Sequence, residues 1–209
     1  MELGMILSFL GASILLTVMP GPDNIFVLTE SLTKGQKNGI AISLGLGSGV
    51  LIHTLAAATG LSLIIQQSAM AFSIIKYCGA IYLFYLAFKA TQEKRPELSF
   101  EGGGEMSKSG FFKLYRKGFL MNVLNPKVSL FFIAFLPQFI TSDGFHYTFQ
   151  MMILGVIFMV QAILIFSGIS VLSGRLTKYL NSPTFWKVSK WSKVGVLSVL
   201  GLFLALARK

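Results

Sequence analysis

Two short stretches place polar chemistry where the sequence is otherwise apolar. The first is TVMPGPDN, residues 17–24, which sets Asp23 and Asn24 directly after Pro20, Gly21 and Pro22. The second is LNPK, residues 124–127, with Asn125 and Lys127 on either side of Pro126. Proline lacks an N–H and obstructs the preceding turn, and Gly21 permits almost any backbone angle, so helical hydrogen bonding must lapse around residues 16–23. One acid and one base at two such breaks suit the α-ammonium and the α-carboxylate of a zwitterion, and amides freed near Asn125–Lys127 are further donors to a carboxylate. Two plainer readings stand beside this. Asp23 and Lys127 would merely neutralise each other, as most intramembrane charges do, or Asp23 and Asn24 would cap the helix after a simple proline kink.

Other polar residues fall within apolar runs. His53, next to Thr54, is placed to titrate in a proton-coupled cycle or simply to bond a neighbour's carbonyl, and Gln161 occupies roughly the corresponding place in the second half of the chain. Glu30 lies seven residues after Asp23 on the same helical face, with Lys34 four residues on as a salt-bridge partner, which leaves a gate or a plain ion pair. Gly45, Gly47 and Gly49 fit close helix packing of the small-xxx-small kind. GLGSGV is no phosphate loop, because no Gly-Lys-Ser/Thr ending follows. Enzymatic signatures are absent: there is no HExxH, no CxxC, no Ser/His/Asp set within the spans and no Walker-type loop for an ATPase motor. No cofactor or resident metal is expected.

The elements that carry these residues follow from composition. Of the 209 residues 54% are apolar and only 12% charged, with a mean hydropathy of +0.71, which describes an integral membrane protein. In hydrocarbon an unpaired carbonyl costs several kcal/mol by rough estimate, and an ionised Asp23 near mid-span about 3 kcal/mol more, so the breaks must face protein, water or a ligand. The apolar runs are Leu3 to about Thr33 with the break inside, Asn38 to about Ile65 with a turn at Gln66-Gln67-Ser68, Phe72 to Phe88, Gly118 to Thr141 interrupted at Asn125-Pro126-Lys127, Tyr147 to Ser173, and Val194 to Ala207. This is an all-α fold of six candidate transmembrane helices. The last run, about 21 Å long at 1.5 Å per residue, is short for a core roughly 30 Å thick, so a five-span chain is the alternative. Cys78 is the single cysteine and sits in an apolar run, which excludes an intramolecular disulfide. The N-terminal run has no basic region before it and reads as a retained span rather than a signal peptide.

Eighteen basic residues against eight acidic ones would suggest a nucleic-acid partner in a soluble chain. Here they alternate with the spans, with none in the 66–71 turn and none between the fourth and fifth spans, so they report topology and membrane lipid, not nucleic acid. Segment 89–117 holds seven and segment 174–193 five. Both are expected in the cytoplasm, with both termini outside if all six runs cross; Arg208 and Lys209 run against that placement of the C-terminus.

The stretch TQEKRPELSFEGGGEMSKSG divides the chain into residues 1–90 and 113–209, with a cytoplasmic linker at 91–112. Setting Pro22 on Pro126 aligns PGPDNIFVL with LNPKVSLFF, so a proline-broken helix opens each half. Three spans per half is odd, so the halves must be inverted in the bilayer, the plan of secondary transporters whose broken helices meet near the midplane.

PGPD in the first span, GLGSGVLIHTLAAATGL in the second, GAIYLFYLA in the third and FLMNVLNPKVSLFFIAFLPQF in the fourth resemble the LysE/RhtB family of amino-acid exporters over nearly the whole chain. The resemblance implies a multi-pass carrier of the bacterial inner membrane that exports amino acids or close derivatives on the ion gradient. It carries over to Pro20, Gly21, Pro22 and Asp23 in the first half and to Asn125, Pro126 and Lys127 in the second. A single mid-span acid favours neutral cargo of threonine, homoserine or leucine type. Cationic amino acids or a divalent metal ion are the alternatives, and the Gly-rich helices leave a homodimer open.

The charge pattern makes a topological prediction. Single cysteines at Ser107 and Ser182, in a Cys78→Ser background, are expected to resist an impermeant maleimide applied outside intact cells and to react once the cells are opened. Labelling from outside would overturn the arrangement.

Overall fold

The computed structural model describes residues 2–61, 68–93, 108–141, 144–175 and 182–207. Among them every regular element is helical. We number the helices α1 (Leu3–Val18), α2 (Pro22–Lys34), α3 (Gln36–Ala56), α4 (Ala69–Thr91), α5 (Lys108–Val123), α6 (Pro126–Leu130), α7 (Tyr147–Val171) and α8 (Pro183–Leu206). A π turn, Ala57–Leu61, continues α3. A second π turn, Phe131–Phe135, continues α6 and passes into a 3-10 turn at Leu136–Phe139, where Pro137 prevents a return to the α form.

Four helices, α3 with its π turn, α4, α7 and α8, are each long and apolar enough to cross a membrane. The other two spans are broken pairs. Leu3–Val18 and Pro22–Lys34 meet at 60°, and Gly110–Val123 and Pro126–Phe139 meet at 48°, which makes six spans when each pair is counted once. Pro22 and Pro126 both stand in the first turn of the helix they start, where a missing N–H costs no helical bond. Gly35 separates α2 from α3 with φ +92°, a left-handed conformation that disfavours any side chain.

Three boundaries differ from the sequence reading. The sixth span is not a 14-residue stub: α8 starts at Pro183, with Ser182 Oγ accepting from Phe185 N (3.4 Å), and its 24 residues cover about 36 Å at the α-helical rise. Lys187, Lys190 and Lys193 hid its beginning, because they look like loop charges but lie on its first turns. For the same reason the fourth span begins well before Gly118, in a helix that carries Lys113, Arg116 and Lys117. That helix also takes in residues 108–112, which the sequence places in the linker; residues 94–107 of the linker and the Gln66-Gln67 turn lie outside the described residues.

α3 is the most buried of the long helices, and its glycines explain how. A Cβ on Gly45 would lie 2.0 Å from Tyr115 O, one on Gly118 2.4 Å from Ile42 O, and one on Gly49 2.8 Å from Asn122 Cβ, so α3 and α5 meet backbone to backbone. On another side Gly47 receives Ile163 of α7, whose own Gly155 receives Thr54. Gly39 leaves room for Ser31 and Ser170, whose hydroxyls bond at 2.9 Å across α2 and α7. Between membrane helices, where lipid is as apolar as the side chains, such close approach supplies the dispersion contact that holds them together.

α4 and α8 form an antiparallel pair secured at both ends. Lys76 Nζ donates to Ala207 O (2.8 Å), the last carbonyl turn of α8. At the opposite end Lys190 Nζ donates to Glu93 O (3.2 Å), and Lys193 forms an ion pair with the Glu93 carboxylate. The π turn packs against this pair, with Ala134 beside Gly79.

Gly45→Ala is expected to cost roughly 1–3 kcal/mol through overpacking against the α5 backbone. Gly11→Ala, where an added Cβ meets nothing within 4 Å, is expected to be neutral or to gain up to about 1 kcal/mol from helix propensity. Unfolding in mixed detergent micelles compares the two; equal stabilities would contradict the packing account.

Candidate functional site

The first break follows from two missing donors. In a continuous helix Leu16 O would accept from residue 20 and Val18 O from residue 22, and both are prolines without an N–H. Thr17 O would accept from Gly21, which lies beyond the end of α1. Side chains take over. Lys127 Nζ reaches across from the second break to donate to Leu16 O (3.0 Å), and Asn24 Nδ2 folds back to donate to Thr17 O (3.0 Å).

The second break repeats the problem. Pro126 removes the donor that Asn122 O would have used, and that carbonyl accepts instead from Asn125 N (2.9 Å) and from His53 Nε2 on α3 (3.1 Å). Asn125 then caps α6, its Oδ1 accepting from Lys127 N (3.0 Å). Its amide nitrogen crosses to the first break and donates to Asp23 Oδ2 (2.6 Å). Asp23 is buried in the first turn of α2, where the helix dipole favours a negative charge.

Asp23 and Lys127 therefore make no direct ion pair. Among the described residues the ion pairs are Glu30–Lys34 and Glu93–Lys193. Asn125 holds the Asp23 carboxylate through its amide nitrogen and the backbone N–H of Lys127 through its amide oxygen, while the Lys127 ammonium goes to Leu16 O. Their charges act on each other through space and not through contact.

The structure thus brings together Asp23, Asn24, Asn125 and Lys127, with Pro20, Gly21, Pro22 and Pro126 shaping the backbone around them. Gln161 joins them: it is buried on α7 and its Nε2 donates to Thr17 Oγ1 (2.9 Å), which donates in turn to Ser13 O (2.8 Å). His53 belongs to the second break, bonded to Asn122 O and lying 5.8 Å from the Phe132 ring. Glu30 is not part of the group, since it pairs with Lys34 (3.2 Å) two turns along α2. Among the described residues three amide oxygens, Asn24 Oδ1, Asn122 Oδ1 and Gln161 Oε1, are buried and accept no hydrogen bond. Each costs about 1–3 kcal/mol in the absence of a donor. Among the described residues no three His, Cys, Asp or Glu side chains converge as a metal cage would require.

Sequence reasoning passed over Thr17 and Asn122, although their position just before a proline was the available signal. Phe131, Phe132, Phe135 and Phe139 are buried and stack with Phe9, Phe158 and Phe203 around the π turn.

A family model described as LysE type translocator matches residues 14–208. The chain belongs to the LysE type translocator family. It is 28% identical over 201 residues, 96% of each chain, to a homoserine/homoserine lactone efflux protein of Salmonella typhimurium. It is 30% identical over 189 residues to the membrane protein YrhP of Bacillus subtilis, covering 88% of this chain and 90% of that one. A membrane protein of Vibrio cholerae is 28% identical over 183 residues, 88% of this chain and 87% of its own. No solved structure matches. This member of the LysE type translocators is a multi-pass protein of the cell inner membrane, and its apolar helices fit that setting.

Asn125→Leu removes both the donor to Asp23 and the cap of α6, and is expected to lower stability by roughly 1–3 kcal/mol. Glu30→Gln, which loosens only an ion pair with a half-exposed lysine, is expected to change it by less than about 1 kcal/mol. Unfolding of the two purified variants checks the order; a larger effect at Glu30 would contradict it.

Proposed function

We propose that this translocator is a secondary carrier that exports neutral amino acids, of threonine, homoserine or leucine type, on the ion gradient, and that the cargo binds where the two broken helices meet. The observation that carries the reading is the exchange of partners between the breaks. Lys127 from the second half fills the carbonyl orphaned by Pro20, and Asn125 from the second half holds Asp23 of the first. Lys127 Nζ has three donors and gives one to Leu16 O, so its charge can meet an α-carboxylate. Asn125 occupies one oxygen of Asp23 and leaves the other for an α-ammonium. Because the two charges are not locked to each other, a zwitterion enters between them without breaking an ion pair.

Two inverted three-helix repeats, residues 1–90 and 113–209, account for several contacts at once. Gln161, in the second span of its half, bonds Thr17 just before the first break, while His53, in the second span of the other half, bonds Asn122 just before the second. The third spans reciprocate as well: Lys76 of α4 secures the end of α8, and Lys193 of α8 secures the end of α4. A two-fold operation that exchanges the halves would carry each contact onto its counterpart. The efflux role for which the Salmonella relative is named supports the direction and the class of cargo.

Cells loaded with a panel of amino acids, neutral and cationic, are expected to export the neutral ones faster when they make the protein, and an uncoupler is expected to abolish the difference. Asp23→Asn and Lys127→Met are each expected to reduce export about tenfold or more in protein that still reaches the membrane. The double variant decides between roles: a structural pair would be largely rescued, whereas groups that hold the two ends of an amino acid stay inactive. Wild-type export by the double variant would sink the site assignment.

A further inference from the structure

Thr17 organises a second set of polar atoms beside the two charges. Its hydroxyl donates to Ser13 O, so toward α7 it can only accept, and Gln161 must present its NH2 group to it. Its carbonyl can only accept, so Asn24 must also present its NH2 group. The orientations of both amides are fixed by this one residue. In each the carbonyl oxygen is left over, buried and without a donor among the described residues. Gln161 is more than nine-tenths buried, so bulk water is not at hand to satisfy it. The neighbouring carbonyl, Leu16 O, holds the ammonium of Lys127, and a Cβ on Gly21 would stand 3.9 Å from that ammonium and 4.0 Å from Asn24 Oδ1, which puts this oxygen near the proposed carboxylate anchor.

A set of neutral acceptors left without a partner selects its ligand by chemistry. It offers nothing to a carboxylate, and an apolar group would leave the acceptors unpaired. It lacks a carboxylate to balance a cationic side chain, since the acid nearby, Asp23, is assigned to the α-ammonium. A neutral O–H donor meets all these conditions. We propose that Gln161, through Oε1, forms the side-chain subsite of the carrier and takes the hydroxyl of a hydroxylated amino acid, with Asn24 Oδ1 as the second acceptor that Thr17 orients. The inference rests on the reading that an amino acid binds between Asp23 and Lys127. It adds to that reading the residue that tells a hydroxyl from a methyl group.

The purified carrier in detergent tests this with three ligands of similar size: homoserine, norvaline, which has a methyl group where homoserine has its hydroxyl, and O-methylhomoserine, which keeps the oxygen but has no hydrogen to donate. The wild type is expected to bind homoserine at least about tenfold more tightly than either of the others, as for a buried acceptor that gains or lacks its donor. In Gln161→Leu that preference is expected to fall to threefold or less. The ligand series on the wild type keeps the test decisive even where the variant folds poorly. If the wild type binds all three alike, or if Gln161→Leu keeps the full preference, the subsite assignment is overturned while the amino-acid reading stands. If the wild type binds none of the three nor any other amino acid, both are overturned.

Discussion

A carbonyl that loses its helical donor inside a membrane has to be met by another part of the protein, and the centre of this translocator is built on that requirement. Pro20 and Pro126 each remove one donor, and the carbonyls they orphan, Leu16 O and Asn122 O, are met by Lys127 and His53. In water the solvent would do this at little cost; in hydrocarbon each unmet group costs several kcal/mol by rough estimate. Two otherwise unrelated features follow. The broken spans must face inward, and a lysine can be kept at membrane depth because its ammonium replaces a backbone N–H.

That inward orientation needs neighbours close enough to reach across, and the glycines of α3 supply the distance. With no side chains at Gly45, Gly49 and Gly118, α5 lies against α3 backbone to backbone, which brings His53 within hydrogen-bond reach of Asn122 O. On another face Gly47 and Gly155 let α7 settle against α3, and Gln161 of α7 reaches Thr17. Close packing and polar bridging are therefore one arrangement: widening the helix separation by the thickness of a methyl group would stretch the bonds that satisfy the breaks.

The breaks were legible in the sequence because proline acts locally, and Asp23, Asn125 and Lys127 stood out because polar residues are rare in apolar runs. The class of fold was legible for the same reason. The pairing across the breaks was not, since nothing local indicates that Lys127 seeks Leu16 O rather than Asp23, or that Asn125 is the partner of Asp23. The start of α8 was missed because lysines on the first turns of a membrane helix, where they lie at the interface, have the composition of a loop. Glu30 shows the opposite failure: its spacing from Asp23 suggested a shared role, but a partner four residues away satisfied it first.

The two π turns differ from the rest of the architecture in one respect: each fits a surplus residue into a helical turn. Ala57–Leu61 and Phe131–Phe135 hold this slack beyond the breaks, at the ends of α3 and of the α6 segment. Slack of this kind can be handed along a helix, because a π turn relaxes to the α form when its extra residue passes to the next turn. Each such transfer turns the residues it passes by about 100°, the angle per residue of an α-helix, and leaves both ends of the helix in place. The aromatic cluster that seats the second of these turns, from Phe9 to Phe203, thereby fixes the azimuth of the residues around it, in the way a detent holds a dial at one of its positions.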